Sequence, residues 1–133
     1  MREYVRLQTR ILLRGLTVQV NRAARAGDAE AIHDLRVAVR RLSRCLRAFA
    51  QFFPGDSWKP IRRRLRRLMA ACGGVRDRDI AIELLEKAGF PPVSPLARRL
   101  DEERHAAARE LRRELLCWKQ RGFRRRWRVR LEL

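Results

Sequence analysis

The residues in this chain best placed to do chemistry are a histidine and a file of arginines. Projected at about 100° per residue, His33, Arg36, Arg40, Arg44 and Arg47 fall within an arc of roughly 80° on one helix. Arginines four residues apart step roughly 6 Å along the axis. Each presents a planar fork of donors that pairs with two oxygens of a phosphate. The ladder therefore suits a phosphate-rich polyanion, with His33 at its N-terminal end and Arg41 at its flank. The next helix adds Arg62, Arg63, Arg64, Arg66 and Arg67 around everything but its apolar stripe. If the two helices pack antiparallel, their basic faces border one groove.

A run of charge on a helix is often no more than a solvated face. Such faces normally mix signs at four-residue spacing. The segment from Arg98 to Glu114 does so and reads as structural. Between Glu30 and Asp56 the only acid is Asp34. That contrast marks the second and third helices as the binding face.

Other chemistries find less support. Asp77 and Asp79, in Arg76-Asp77-Arg78-Asp79, could hold a divalent cation. The preferred reading is that Asp77 caps a helix, that Asp79 favours its dipole, and that either orients an arginine. His33 and His105 are far apart, so no metal site is expected, and no cofactor. Ser43, Ser57 and Ser94 lack a nucleophile context, and Gly73-Gly74 lacks the spacing of a phosphate-cradling loop. Cys45, Cys72 and Cys117 are too dispersed for a metal set and suit a reducing compartment.

Composition sets the frame for these residues. The chain has 133 residues, 46% of them apolar, which fits one domain spanning 1–133 with one core. Lys and Arg number 33 against 15 acids, a net charge of +18. Only Lys59, Lys87 and Lys119 are lysine. A GC-rich genome yields the same arginine bias, so position rather than composition carries the argument. No secretory signal or membrane span is legible, and a cytoplasmic protein is expected.

The elements that must hold the ladder follow from periodicity. A first helix is predicted over 3–26, with Val5, Leu12, Leu16, Gln19 and Ala23 near one face. Arg6, Arg10 and Arg14 step along another. Asp28 caps a second helix running to Phe53, whose core face is Leu35, Val39, Leu42, Leu46, Phe49 and Phe53. A third starts at Pro60 and is broken by Gly73-Gly74, and a fourth covers 77–88. Ser94-Pro95 opens a fifth, extending to about Gln120. The tail after Gly122 reads equally as a short helix or an extended segment. Amphipathic helices joined by short connections imply an all-α, antiparallel helical bundle.

Two segments resemble a known family. Ala31-Ile32-His33-Asp34-Leu35-Arg36-Val37-Ala38-Val39-Arg40-Arg41-Leu42 resembles the first signature of the CHAD domain, the conserved histidine α-helical domain. Gly73-Gly74-Val75-Arg76-Asp77-Arg78-Asp79-Ile80 is similar to its second. The resemblance is clearest over 17–88. It implies non-catalytic binding of inorganic polyphosphate, and an association with polyphosphate granules in some members. His33, Arg36, Arg40, Arg41 and Arg44 match the first motif and its continuation, and Arg76, Asp77 and Asp79 the second. Arg62, Arg63, Arg66 and Arg67 are added by periodicity alone.

Typical members are about twice as long, with two facing bundles, and this chain has one copy. Either a homodimer restores the arrangement, the commoner kind of assembly, or the chain is a reduced half-module. Trp118, Phe123 and Trp127 could form its interface or equally belong to the core. Three other readings use the same charge: RNA or other nucleic-acid binding, an enzyme with His33 as acid or base, and a structural partner of an acidic protein. Few base-reading or stacking side chains accompany the ladder, which counts against nucleic acid.

Overall fold

A computed structural model describes all residues 1–133. Five α-helices account for most of the chain: α1 Arg2–Arg25, α2 Ala29–Ala48, α3 Trp58–Lys87, α4 Pro95–Gln120 and α5 Phe123–Arg130. A single 3-10 turn, Ala50–Phe52, lies between α2 and α3. The fold is an antiparallel helical bundle. Thr9 meets Cys45 and Arg22 meets Asp34, so α1 and α2 run opposite ways. Arg62 meets Ser43 across α2 and α3, and Arg104 meets Asp79 across α3 and α4. Helix α4 returns against α1 and closes the ring, and α5 folds onto α1 and α4.

The periodicity of α1 is displaced from the expected face. Its buried line is Val5, Thr9, Leu13, Leu16, Val20 and Ala23, while Leu12 and Gln19 sit on its shoulder. The misleading residue is Thr9. It is polar yet fully buried, because its hydroxyl donates to the Val5 carbonyl at 2.6 Å. Helix α2 has its expected face and its expected cap, with Asp28 accepting from the Ala31 N–H at 2.8 Å. It ends at Ala48, five residues before the expected stop. The chain then tightens into the 3-10 turn that delivers Phe53 to the core.

The third helix differs most from expectation. It is continuous through Gly73-Gly74 for 30 residues. Two glycines cost about 2 kcal/mol of helix propensity relative to alanine. The core stripe Ile61, Leu65, Leu68, Cys72 and Val75 crosses the pair without interruption and offsets that cost. Gly74 also faces α4, where the Ala107 Cβ lies 3.9 Å from the position a Cβ would occupy. Asp77 is therefore an exposed residue inside a helix and caps nothing, which corrects the capping role assigned to it. Asp79 likewise does not sit at a helix start. Helix α3 begins at Trp58, with Pro60 still in its first turn, where no N–H is required.

The tail is helical. Phe123 and Trp127 of α5 stack around Trp118 of α4, with ring centroids 5.1 to 5.2 Å apart. All three rings belong to the main core cluster. They are packing residues, which removes them as a dimer interface.

Candidate anion-binding groove

The ladder stands on α2 because the opposite face of that helix is committed to the core through Leu35, Val39, Leu42 and Leu46. The antiparallel turn over residues 49–57 then lays α3 alongside, in a register that places Arg62 beside Ser43 and Cys72 near Arg36. Along the seam where the two helices meet, the α2 side carries Arg36 and Arg47 and the α3 side Arg62 and Arg66, and this seam is the candidate groove. The Arg62 Nε donates to the Ser43 hydroxyl at 3.1 Å, which fixes one fork at the groove's edge. Partial burial, with Arg47 and Arg66 adding to it, holds the Arg62 guanidinium below its ordinary value. Three positive charges are thus close enough to oppose one another.

None of the ladder or α3 arginines of the groove makes an ion pair; the chain's salt bridges lie elsewhere. Asp34, the one acid on α2 beyond its first turn, accepts from Arg22 of α1. That hydrogen bond, more than the charges around it, raises the Arg22 pKa. The acid is spent on joining α1 to α2 and does not neutralise the ladder. The Nε of Arg36 is buried without any hydrogen-bond partner.

The expected site residues divide into sets. Arg36, Arg47, Arg62 and Arg66 lie along the α2–α3 seam, while Arg40 and Arg44 are exposed on α2. His33 and Arg41 turn toward α1, where they line a shallow cavity of about 510 Å³ with Ile11, Gly15 and Gln19. His33 is exposed and makes no hydrogen bond. Arg63 points to solvent. Arg67 lies on the α4 side of α3, in a cavity shared with Glu103, Glu110 and Glu114. Periodicity overreached there, because it could not say which flank of α3 would meet α2. Arg76 is exposed and unpaired.

Asp79 does orient an arginine, but not one of the ladder. It accepts from Arg104 Nε at 2.9 Å, and the same guanidinium donates to the Gly27 carbonyl at 3.3 Å. Those bonds tie α3, α4 and the α1–α2 loop together. Arg104 was hidden in the sequence because it stands in the mixed-sign stretch that reads as solvated. No group of three His, Cys, Asp or Glu side chains is placed to hold a metal ion.

With this geometry in place, the comparison with known families is decisive. The family model of the CHAD domain matches residues 10–132. The chain belongs to the CHAD domain family. The match passes well beyond the segment where the motifs are legible, through α4 and α5. No curated protein and no solved structure matches the chain. This CHAD domain is a single helical bundle, and its His33 motif and its Arg76-Asp77-Arg78-Asp79 motif lie on α2 and α3, the helices that border the groove. The first motif builds a groove wall. The second, through Asp79, fastens the frame that holds it.

Proposed function

We propose that this CHAD domain binds inorganic polyphosphate, without turnover, along the groove between α2 and α3. The observation that carries the reading is the file of arginines there, none of which is paired with an acid. CHAD domains are associated with polyphosphate binding in general. Arginine forks suit a chain of repeated phosphates, and release of its counterions adds a strongly salt-dependent term. His33 extends the track toward α1 and gains affinity for the anion when protonated. Nothing pairs His33 with a carboxylate that would orient it for acid or base work, which favours binding over catalysis.

The rival ligand is RNA. The groove walls carry arginine, serine and small residues, and no exposed aromatic ring for a base to stack on. The deciding experiment compares affinity for long-chain polyphosphate and charge-matched single-stranded RNA near physiological salt. An Arg36→Ala, Arg40→Ala, Arg44→Ala variant runs alongside. Preference for polyphosphate that the variant loses is the expected result. Equal affinity, or preference for RNA, overturns it.

The proposal extends to a cytoplasmic homodimer recruited to polyphosphate granules. No helix is long and apolar enough to cross a membrane. The α3–α4 hairpin exposes Leu84, Phe90 and Val93, apolar surface of the kind a second copy covers. Sedimentation at micromolar concentration should show a dimer, and a monomer there refutes this part. A fluorescent fusion should follow granules and disperse when polyphosphate is depleted.

A further inference from the structure

A second concentration of arginine lies outside both motifs. Helices α3, α4 and α5 border a partly open cavity of about 620 Å³. Arg64 enters it from α3, Arg121 from the end of α4, and Arg125, Arg126 and Arg130 from α5. Arg64 follows Arg62 by two residues and so stands roughly 160° around α3 from it. The cavity and the groove therefore occupy opposite flanks of that helix.

Two of the five arginines have a structural occupation. Arg64 lies over the Trp118 ring, 5.7 Å from its centroid. Arg121 caps α4, where the last carbonyls attract a cation. Arg125, Arg126 and Arg130 have no such role. No acid lines the cavity, and none of the five forms a salt bridge. The floor is apolar, formed by Ile61, Trp118 and Trp127. Charges above a low-dielectric floor are weakly screened, so their mutual repulsion and their pull on an anion are both strengthened.

We propose that this cavity is a second anion site, specific for a compact phosphoanhydride group of two or three linked phosphates. A partly open cavity of this volume has room for a short, densely charged group. Arg125, Arg126 and Arg130, with Arg64 and Arg121 beside them, offer donors to many oxygens at once, more than a single carboxylate or orthophosphate uses. The end of a polyphosphate chain and the tail of a nucleoside triphosphate both present that chemistry. The inference stands apart from the groove reading, since it rests on other residues.

Calorimetry with inorganic tripolyphosphate, ATP and orthophosphate tests it. The proteins are the full chain, an Arg126→Gln, Arg130→Gln variant, an Arg36→Gln, Arg40→Gln, Arg44→Gln variant, and a control with Arg6→Gln and Arg14→Gln. Thermal unfolding followed by circular dichroism checks that each is folded. One tripolyphosphate is expected to bind per chain. Affinity should fall about tenfold or more in the cavity variant, the effect of losing charge-assisted bonds. It should change less than about twofold in the groove and control variants. ATP as tight as tripolyphosphate identifies the nucleotide tail as a ligand, and tripolyphosphate clearly tighter identifies the chain end. Equal losses in the cavity and control variants overturn the proposal, because net charge alone would then explain binding. So does a loss confined to the groove variant, or orthophosphate binding as tightly as tripolyphosphate.

Discussion

The groove and the α3–α4 hairpin are built from the same two kinds of charge and use them in opposite ways. Residues 76–110 hold eight of the 15 acids and seven of the 33 Lys and Arg, and none of them is buried. Charge there is spent inside the chain: Arg78 and Arg99 both reach Glu103, and Arg104 bonds Asp79 and Gly27. In the groove, arginines oppose each other and one buried donor goes unmatched. The hairpin draws rigidity from paired charge. The groove leaves its arginines unpaired, at the cost of their mutual repulsion.

That difference yields opposite consequences for similar substitutions. The largest effect lies in the core that supports both regions. Trp118→Ala, which removes the ring at the centre of the α4–α5 aromatic cluster, should cost about 3–5 kcal/mol in urea unfolding. In the groove, replacing Arg36, Arg40 and Arg44 together with glutamine should weaken polyphosphate binding by about 100-fold or more. Stability should be unchanged or slightly raised, as repulsion is relieved. The slope of log affinity against log salt should shrink by roughly one per arginine removed. A variant that lost stability instead would erase the contrast.

In the hairpin, Asp79→Ala should do the reverse. The Asp79–Arg104 pair is only 22% and 23% exposed at its side chains. Breaking it should cost about 1–3 kcal/mol in the same assay and leave the affinity of the folded protein intact. Leu84→Gln, at a position exposed in the single chain and on the proposed dimer surface, should weaken self-association in sedimentation while moving the monomer's stability by less than about 0.5 kcal/mol.

The effect of pH appears only in alkali. Burial pushes the Cys72 thiol up to about 12, against the pull of nearby Arg36. The unfolded thiol ionises near about 8.5. Between those values the folded chain holds more protons than the unfolded, so stability should decline as pH rises. Native protein at pH 8 should accordingly react with a thiol reagent at half-buried Cys117 first. Cys45 and Cys72 are buried, and burial raises the Cys45 thiol as well.

What was legible in advance follows from which signals are local. The apolar stripe of α2, the Asp28 and Ser94 caps and the alignment of Arg36, Arg40, Arg44 and Arg47 depend on spacing along one helix. The failures all involve a competing partner. Gly73-Gly74 reads as a break because propensity is local, whereas the stripe from Ile61 to Val75 that overrides it acts through the core. Thr9 looks like a surface residue because its internal bond to Val5 leaves no trace in the hydrophobic pattern. Arg67 and Arg104 look like members of a basic face and of a solvated face, because sequence does not reveal which neighbour a flank will meet.

By itself, then, the sequence determined the all-helical class, the excess of arginine, the helix that bears the ladder and the family motifs, since each is a property of composition or of one helix's period. Only the tertiary structure decided that α3 is unbroken, that the ladder splits between a groove with α3 and a shallow face with α1, and that Asp79 serves Arg104. It alone gathered Arg64, Arg121 and the α5 arginines around one cavity. Those outcomes depend on the register in which separate helices pack. That register is set by how their apolar faces fit together across the core, and no single segment of sequence contains it.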